Sequence, residues 1–188
     1  MPDLSEYELV TQRLRLVPCH RDHLEGLHAI DSDPEVMRYI TGKAQTRSET
    51  ESMIERVNLR WQTIGYSWWT IIELQTREIV GAGCLQNLRR HGSEPDPLCP
   101  LEIGWRIRQD KWRTGIGTEA ASVMADFAFA RLHAEVLYAV CHPDHKASMG
   151  VMLKLGMRYD GMDEWYAQQV ATFVMTAEAW RTARGTMN

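Results

Sequence analysis

The chain has 188 residues, of which 44% are hydrophobic and 24% charged, and its formal net charge is −4. This length suits one domain with a single buried core, and the composition is typical of a soluble globular protein. The slight acidity argues against nucleic-acid binding over the whole surface, and no apolar run approaches the roughly 18 residues that a membrane span needs. We therefore expect one domain over residues 1–188, with neither a nucleic acid nor a membrane as partner.

The N-terminal segment predicts no export signal, then one strand and one helix. Residues 1–10 carry acidic side chains where a signal peptide would carry basic ones, so we expect a cytoplasmic protein. Residues 9–17 alternate between apolar and polar side chains before Pro18, which predicts a strand with one solvent-facing side. Residues 22–30 place leucine and isoleucine at near-helical spacing, which predicts a helix.

Two further helices are predicted from their capping signals. Asp33 fits an N-cap, with Pro34 at the first helical position. A longer helix is expected over residues 46–64, where Ser48 and Glu51 have the spacing of a capping box. The residues expected to face inward are Val36, Met37 and Ile40 in the short helix and Ile54, Val57, Leu59 and Trp61 in the long one.

In the middle of the chain the hydrophobic period changes to two. Residues 67–74 and 78–85, joined by a short polar segment, predict an antiparallel hairpin rich in Trp, Ile and Val. Residues 89–100 contain one glycine and three prolines and predict a loop. An apolar strand is expected next, over residues 101–107.

The stretch from Leu101 to Ala121 predicts a site for a phosphate group. Its strand leads into a basic segment, residues 106–113, and then into Gly115-Ile116-Gly117, where an amphipathic helix begins and extends to about Leu132. A helix N-terminus presents free N–H groups and partial positive charge, and glycine lets a phosphate approach the backbone. We therefore expect this loop to bind a phosphate-bearing cofactor.

The C-terminal part predicts a buried strand, a helix and two more strands. Residues 135–141 are almost continuously apolar, and with the strand and helix before them they predict a right-handed parallel crossover. A helix is expected from Asp144 as N-cap to Gly156 as the stop, with Ala147, Val151, Met152 and Leu155 inward. The last strands are expected over residues 157–159 and 169–176, with residues 162–167 connecting them. The total is about seven strands and four to five helices in a mixed, mostly antiparallel α/β domain.

Four stretches, in this order, resemble the GNAT acyltransferase superfamily and within it the RimJ/RimL-type N-acetyltransferases. They are residues 11–16, residues 33–39, residues 102–105 with 112–120, and residues 145–148 continuing through 154–157. The resemblance implies a sheet that splays apart between its fourth and fifth strands to admit acetyl-CoA. It also implies direct transfer of an acetyl group to an amine acceptor in a ternary complex.

The resemblance also assigns residues to the cofactor. Backbone groups of Trp105 and Ile107 would contact the pantetheine arm, and N–H groups from Arg113 to Thr118 would contact the pyrophosphate. The implied set is Trp105, Ile107, Trp112, Arg113, Thr114, Gly115, Ile116, Gly117, Thr118 and His145. The side chains of Lys111 and Arg113 either neutralise phosphate charge or are simply solvated.

Glu102 and Ser148 are the candidate catalytic residues. Acetyl transfer needs a base for the amine and a proton for the leaving thiolate. Glu102 lies on the cofactor strand and is the candidate base; the alternative is a solvent-facing or Arg-paired carboxylate. By the resemblance, Ser148 would protonate the thiolate, and the alternative is an ordinary serine of a first helical turn. His145 stands where the family often has Asn, so it is either a hydrogen-bond donor or a plain surface residue. Met152 stands where many members have a Tyr that acts as the general acid.

The acceptor pocket and the metal question rest on weaker patterns. Tyr66, Trp68 and Trp69 either line the pocket or, for at least one of the adjacent tryptophans, belong to the core. The four scattered cysteines lack CxxC spacing and favour reduced thiols. The Cys-His-Pro-Asp-His run over 141–145 has no second ligand pair, so no metal site is expected.

Two other functional classes stay open from the sequence. Residues 115–120 satisfy a dinucleotide fingerprint, but seven residues separate Ile107 from Gly115, whereas a dinucleotide-binding turn is tight. A non-catalytic sensor of acyl-CoA or an amine is the third class. The acceptor stays open among a protein N-terminus, an amino-sugar and a polyamine, and a homodimer is compatible with an exposed sheet edge.

Overall fold

The computed structural model describes residues 4–91 and 99–185 and has eight strands and six α-helices within them. The strands are β1 (Leu9–Val10), β2 (Leu14–Pro18), β3 (Trp68–Glu73), β4 (Ile79–Asn87), β5 (Leu101–Ile107), β6 (Val136–Cys141), β7 (Arg158–Trp165) and β8 (Gln168–Thr176). The helices are α1 (Leu24–Asp31), α2 (Pro34–Met37), α3 (Arg47–Ile64), α4 (Ile116–Ala130), α5 (Lys146–Lys154) and α6 (Ala177–Gly185). None of the helices in these two ranges has the length and apolar character to span a bilayer.

The strands form one mixed sheet in the order β1-β2-β3-β4-β5-β6-β8-β7. Neighbours are antiparallel except for β5 and β6, which are parallel. β4 and β5 are partnered at seven positions, whereas the register of β5 with β6 contains a single pair, Glu102 with Tyr138. The predicted mixed, mostly antiparallel sheet is confirmed, and its central parallel pair separates over most of its length.

The sheet is covered on both faces. On one face α4 packs over β5, where Ile103, Met124 and Phe127 belong to the largest cluster of buried residues. On the other face α1 and α3 enclose a smaller cluster that includes Leu27 and Ile54. Each face of β5 is therefore buried, although one of them carries charged residues that are described below.

Two predictions near the N-terminus are wrong in detail. The first strand is interrupted, because Thr11 forms a turn with Leu14 and the short β1 folds back to pair with β2. The capping box of α3 is formed by Thr46 and Glu49 instead of Ser48 and Glu51. The two boxes overlap in sequence and have the same spacing.

Three residues expected to face inward are exposed. Ile40 follows the end of α2, Leu59 lies on the outer side of α3, and Ala147 lies in the first turn of α5. The N-cap of α5 is His145, with no side-chain cap, where Asp144 was expected. The predicted stop at Gly156 is confirmed by its φ of +86°.

The C-terminal part differs most from the expectation. β7 runs through residues expected to form a connection and leaves a two-residue turn, Tyr166-Ala167, with φ of +54° and +55°. Such a turn matches the twist of a hairpin, but it usually needs Gly or Asn, so its sequence carries no clear signal. The additional helix α6 packs through the buried Trp180. Much of the predicted loop over 89–100 falls on residues 92–98, outside the described residues.

Candidate active site

The gap between β5 and β6 is bordered by backbone groups that no neighbouring strand uses. Arg108 donates its N–H to the Val80 carbonyl at 2.9 Å, so the even-numbered residues of β5 bond to β4. Since backbone groups alternate sides along a strand, the N–H and C=O of Trp105 and Ile107 are aimed away from β4. Beyond the single pair of β5 with β6, these groups face the opening.

A cleft opens at this gap, between the charged face of β5 and the start of α5. Its walls include Tyr39, Trp68, Gln86, Glu102, Trp105, His145, Ser148, Met152, Trp165 and Tyr166. The two predicted catalytic residues, Glu102 and Ser148, thus line one cleft from β5 and α5 respectively.

Glu102 is the centre of a polar network in the cleft. It is only 6% exposed, and its Oε2 accepts hydrogen bonds from Gln86 Nε2 at 2.9 Å and from the hydroxyl of Tyr166. Trp68 Nε1 donates to Gln86 Oε1 at 3.1 Å and orients that amide. Within the described chain both hydrogen bonds fall on Oε2, which leaves Oε1 without a protein donor.

Burial sets the protonation behaviour of this network. Burial raises the pKa of Glu102, and the hydrogen bonds from Tyr166 and Gln86 oppose that rise. Burial and the adjacent Glu102 carboxylate raise the pKa of Tyr166, so its phenol stays protonated and donates. The arrangement yields a carboxylate that is more basic than an ordinary glutamate and is held in one orientation.

The alternative of an Arg-paired Glu102 does not hold. Arg106, on the same face of β5, pairs instead with Asp31 of α1, with Nε–Oδ1 at 2.6 Å and Nη2–Oδ2 at 3.0 Å. Both members of this pair are buried, and Thr50 Oγ1 also donates to Asp31. Arg106 thus lines the cleft already paired with Asp31, and no salt bridge to Glu102 occurs within the described residues.

Tyr166 and Gln86 are site residues that the sequence prediction missed. Tyr166 reaches Glu102 only because β7 and β8 are joined by the tight turn described above. Gln86 lies directly opposite Glu102 in the register of β4 with β5. The predicted hairpin strand ended one residue earlier, although pairing it against residues 101–107 would have revealed Gln86.

The opposite wall of the cleft is formed by β6 and α5. Ser148 is 8% exposed and lies beside Cys141; burial raises the pKa of the Cys141 thiol to about 11, and the Ser148 side chain opposes that rise. The ring of His145 stacks on Tyr39 with centroids 4.8 Å apart. Burial, and to a smaller extent His142, lowers the pKa of His145, so the ring is neutral near pH 7. His145 is thus a partly buried ring in the cleft wall, stacked on Tyr39.

The glycine loop has the geometry of an anion site. Gly115 is the N-cap of α4, with φ of +86° and no side-chain cap, and Arg113 precedes it with φ of +63°. In the part of the chain described, the N–H groups of Arg113, Thr114 and Gly115 donate to no protein acceptor, and the N–H groups of the first helical turn are free by construction. Trp112, which precedes them, is 44% exposed and donates Nε1–H to the Ile107 carbonyl at 2.8 Å.

Most of the positive charge around this loop is neutralised by protein carboxylates. Lys111 pairs with Glu73 at 2.8 Å, and Arg108 pairs with Glu78 at 2.8 Å and with Asp110 at 2.7 Å. The proposal that Lys111 neutralises a phosphate is therefore not supported. Arg113 is exposed and, among the described residues, forms no ion pair.

Arg13 fastens the loop from outside. Its Nη1 donates to the Thr114 carbonyl at 3.0 Å, and its Nε donates to Glu119 Oε2 at 2.7 Å. Thr11 also donates to Glu119, in the first turns of α4. A side chain at Gly115 would lie 3.3 Å from the Arg13 guanidinium, so this guanidinium and the glycine together shape the turn.

The three predicted acceptor aromatics separate in the structure. Trp68 lines the cleft, with the Arg106 guanidinium 4.7 Å from its ring centroid. Trp69 is fully buried in the main core, and its Nε1 donates to Tyr7 O at 2.7 Å, so its assignment to the pocket is wrong. Tyr66 also packs against that core and donates to Asn87, and it does not line the cleft.

The side chains of His, Cys, Asp and Glu form no candidate metal site in the described part of the chain. Across residues 4–91 and 99–185, no group of three or more such side chains could hold a metal ion. Four free cysteines are present, and Cys19, Cys84 and Cys141 are buried.

The profile of the family described as "Acetyltransferase (GNAT) domain" matches residues 13–158. A Bacillus subtilis protein named as the N-acetyltransferase YoaA is 27% identical over 165 residues, covering 87% of this chain and 90% of its own length. The FsC-acetyl coenzyme A-N(2)-transacetylase of Aspergillus fumigatus is 25% identical over 183 residues, covering 92% of this chain and 77% of its own length.

Solved structures share the fold. RimL, described as a ribosomal alpha-N-protein acetyltransferase in complex with coenzyme A, matches with a TM-score of 0.73 at 15% identity. The match covers 91% of this chain and 98% of that one. At such low identity the likeness shows a common architecture alone.

Proposed function

Because the chain belongs to the GNAT acetyltransferase family, we propose that it is an acetyl-CoA-dependent N-acetyltransferase that acts on a primary amine. The observation that carries this proposal is the buried Glu102 carboxylate at the β5–β6 gap, with Oε2 held by Gln86 and Tyr166 and with no donor to Oε1 among residues 4–91 and 99–185. Such a carboxylate is suited to take a proton from an amine.

The residues present fit a coenzyme A molecule. The unpartnered N–H groups from Arg113 to Gly115 and the N-terminus of α4 suit a pyrophosphate, and the Arg113 side chain adds a cation. Gly117 keeps this approach open, since a Cβ there would lie 3.6 Å from Ile107 and 4.0 Å from Trp105. The backbone groups of Trp105 and Ile107 at the gap suit the amides of a pantetheine arm, although one lone pair of the Ile107 carbonyl is already used by Trp112.

When bound, acetyl-CoA supplies an acetyl group activated as a thioester. Glu102 Oε1 accepts the proton that the attacking amine loses as the new C–N bond forms. Gln86 and Tyr166 hold Oε2 and prevent the carboxylate from rotating, so the base needs little reorganisation.

Ser148 is our candidate for the proton donor to the leaving thiolate as the C–S bond breaks. It is buried and lines the cleft across from Glu102. Met152 also lines the cleft, but its side chain has no proton to donate, so Ser148 is favoured over it.

The acceptor is left as a primary amine of one of two kinds. One relative is named for acetylating FsC, and the fold relative RimL for a ribosomal protein N-terminus. We propose no choice between a small molecule and a protein N-terminus.

A screen of thiol release from acetyl-CoA, with small amines and short peptides as acceptors, tests the proposed function. We expect thiol release that depends on an amine, and stabilisation of the protein by acetyl-CoA but not by NADH in a thermal-shift assay. Stabilisation by acetyl-CoA without thiol release from any amine would instead favour a non-catalytic sensor.

A further inference from the structure

The tip of the β7–β8 hairpin is attached to the segment that follows β4. Tyr166 donates its backbone N–H to the Arg89 carbonyl at 2.7 Å, and Ala167 donates to the Arg90 carbonyl at 3.0 Å. These two hydrogen bonds hold the turn against the segment at the point where the Tyr166 side chain enters the cleft.

The side chain of Arg90 reinforces this attachment. Its Nη1 donates to Asp163 Oδ1 and to the Glu164 carbonyl, both at 2.9 Å, and its Nη2 donates to Asp163 Oδ2 at 3.0 Å. The guanidinium also lies 4.2 Å from the ring centroid of Trp165. Bidentate pairing and stacking fix the guanidinium more firmly than a single surface ion pair would.

Arg90 therefore grips the three residues that immediately precede Tyr166. The Tyr166 turn is built from two residues with positive φ, which is unfavourable for side chains other than glycine and needs support from its surroundings. The small apolar cluster of Leu88, Trp165 and Val170 packs next to the same turn, since Trp165 precedes it and Val170 follows it on β8.

We propose that Arg90, clasped to Asp163, is a positioning residue that holds the Tyr166 hydroxyl on the Glu102 carboxylate. This inference rests on the proposed role of Glu102 as the base. Arg90 is not among the residues that line the cleft, and its effect on the reaction passes through Tyr166.

Three other titratable or charged groups lie around Glu102. Burial raises the pKa of Cys84 on β4 well above its usual value, so its thiol stays protonated, and burial lowers the pKa of His145 on the far wall. Arg106, on the same strand as Glu102, pairs with Asp31. Glu102 itself is governed first by its burial, which raises its pKa, and then by its hydrogen-bond donors Tyr166 and Gln86, which oppose that rise.

The test is a carbon-13 NMR titration of the glutamate carboxyl groups, with the Glu102 signal assigned by its loss in Glu102→Gln. Tyr166→Phe removes a donor to the carboxylate and should move the Glu102 midpoint about one pH unit higher. Arg90→Ala should cause a similar shift, and the Arg90→Ala, Tyr166→Phe double variant should shift no further. Asp163→Asn, which keeps Arg90 but weakens the clasp, should show a smaller shift in the same direction.

Arg158→Ala is the matched control, because Arg158 pairs with Asp160 at 2.7 Å on the same strand but away from the cleft. It should leave the Glu102 midpoint unchanged. The positioning role of Arg90 would be contradicted by an unchanged Glu102 midpoint in both Arg90→Ala and Asp163→Asn. Fully additive shifts of that midpoint in the double variant would also contradict it. Absence of acetyl transfer by the native chain would overturn the proposed function instead, while the titration would still decide the clasp.

Discussion

The hydroxyl of Tyr166 donates a hydrogen bond to the carboxylate of Glu102, a residue 64 positions earlier in the chain. The two residues belong to different parts of the sheet: Glu102 lies on β5 at its centre, and Tyr166 lies in the turn between β7 and β8 at its edge. Their contact brings the β7–β8 turn over the parallel gap and, among the described residues, places both hydrogen bonds to the carboxylate on Oε2.

The pH profile should reveal the raised pKa of Glu102. Only the carboxylate form accepts a proton, so turnover should fall as pH decreases through a pKa that lies above the usual 4.5 of a glutamate. The measurement is kcat against pH with both substrates saturating, since protonation of the free amine affects KM. A pH-independent turnover down to pH 4.5 would contradict the assignment.

Ser148→Ala should lower kcat and leave KM for acetyl-CoA nearly unchanged. The hydroxyl is expected to act on the leaving thiolate, and loss of a general acid typically costs about 10²–10⁴-fold in rate. Ser122→Ala is the control. It removes from α4 a hydroxyl that accepts a hydrogen bond from Arg184 of α6, and it should retain the native kcat. Full turnover in Ser148→Ala would remove this residue from the mechanism.

Arg13→Ala should weaken acetyl-CoA binding without a comparable loss of kcat. The guanidinium bonds Thr114 and Glu119, and without it the glycine loop loses the contacts that hold its N–H groups in place. We expect KM for acetyl-CoA to rise about tenfold, which corresponds to ~1.4 kcal/mol. Arg15→Ala, two residues away and similarly exposed, breaks only the pair with Glu8 and should leave this KM unchanged. Equal KM values for the two variants would contradict the role of Arg13.

Arg106→Ala should destabilise the fold strongly. Asp31 is fully buried, and its charge would lose the guanidinium that compensates it, at a cost of about 3–5 kcal/mol. Urea unfolding measures this change. Arg21→Ala breaks the exposed pair with Glu51 and should cost less than about 1 kcal/mol. Similar losses in the free energy of unfolding for the two variants would show that the buried pair stabilises the fold no more than the exposed pair does.

The sequence predicts the elements of this protein better than it predicts the site. Asp33, Pro34 and Gly156 have strong local preferences, and the structure confirms the helix ends they predict. Where two local signals compete, as with the overlapping capping boxes of Thr46 and Ser48, the sequence alone does not decide between them.

The site depends on contacts between distant parts of the chain. The position of Glu102 on its strand indicates a candidate base. Its hydrogen-bond partner Tyr166 lies in a turn without the usual Asn-Gly signal. The charge of the basic segment was visible in the sequence, whereas the pairing of Lys111 with Glu73 depends on the positions of two separate strands. Propensity and spacing carry no information on such tertiary pairs.

The most direct test of the account compares the native chain with Glu102→Gln, using isotope-labelled acetyl-CoA and mass spectrometry of the acceptor. Glutamine keeps the shape of the side chain but cannot take a proton. If Glu102 is the base, the native chain should transfer the label to an amine. Glu102→Gln should do so at least about 100-fold more slowly and should still bind acetyl-CoA. Equal rates of labelling by the two proteins at all pH values would contradict it.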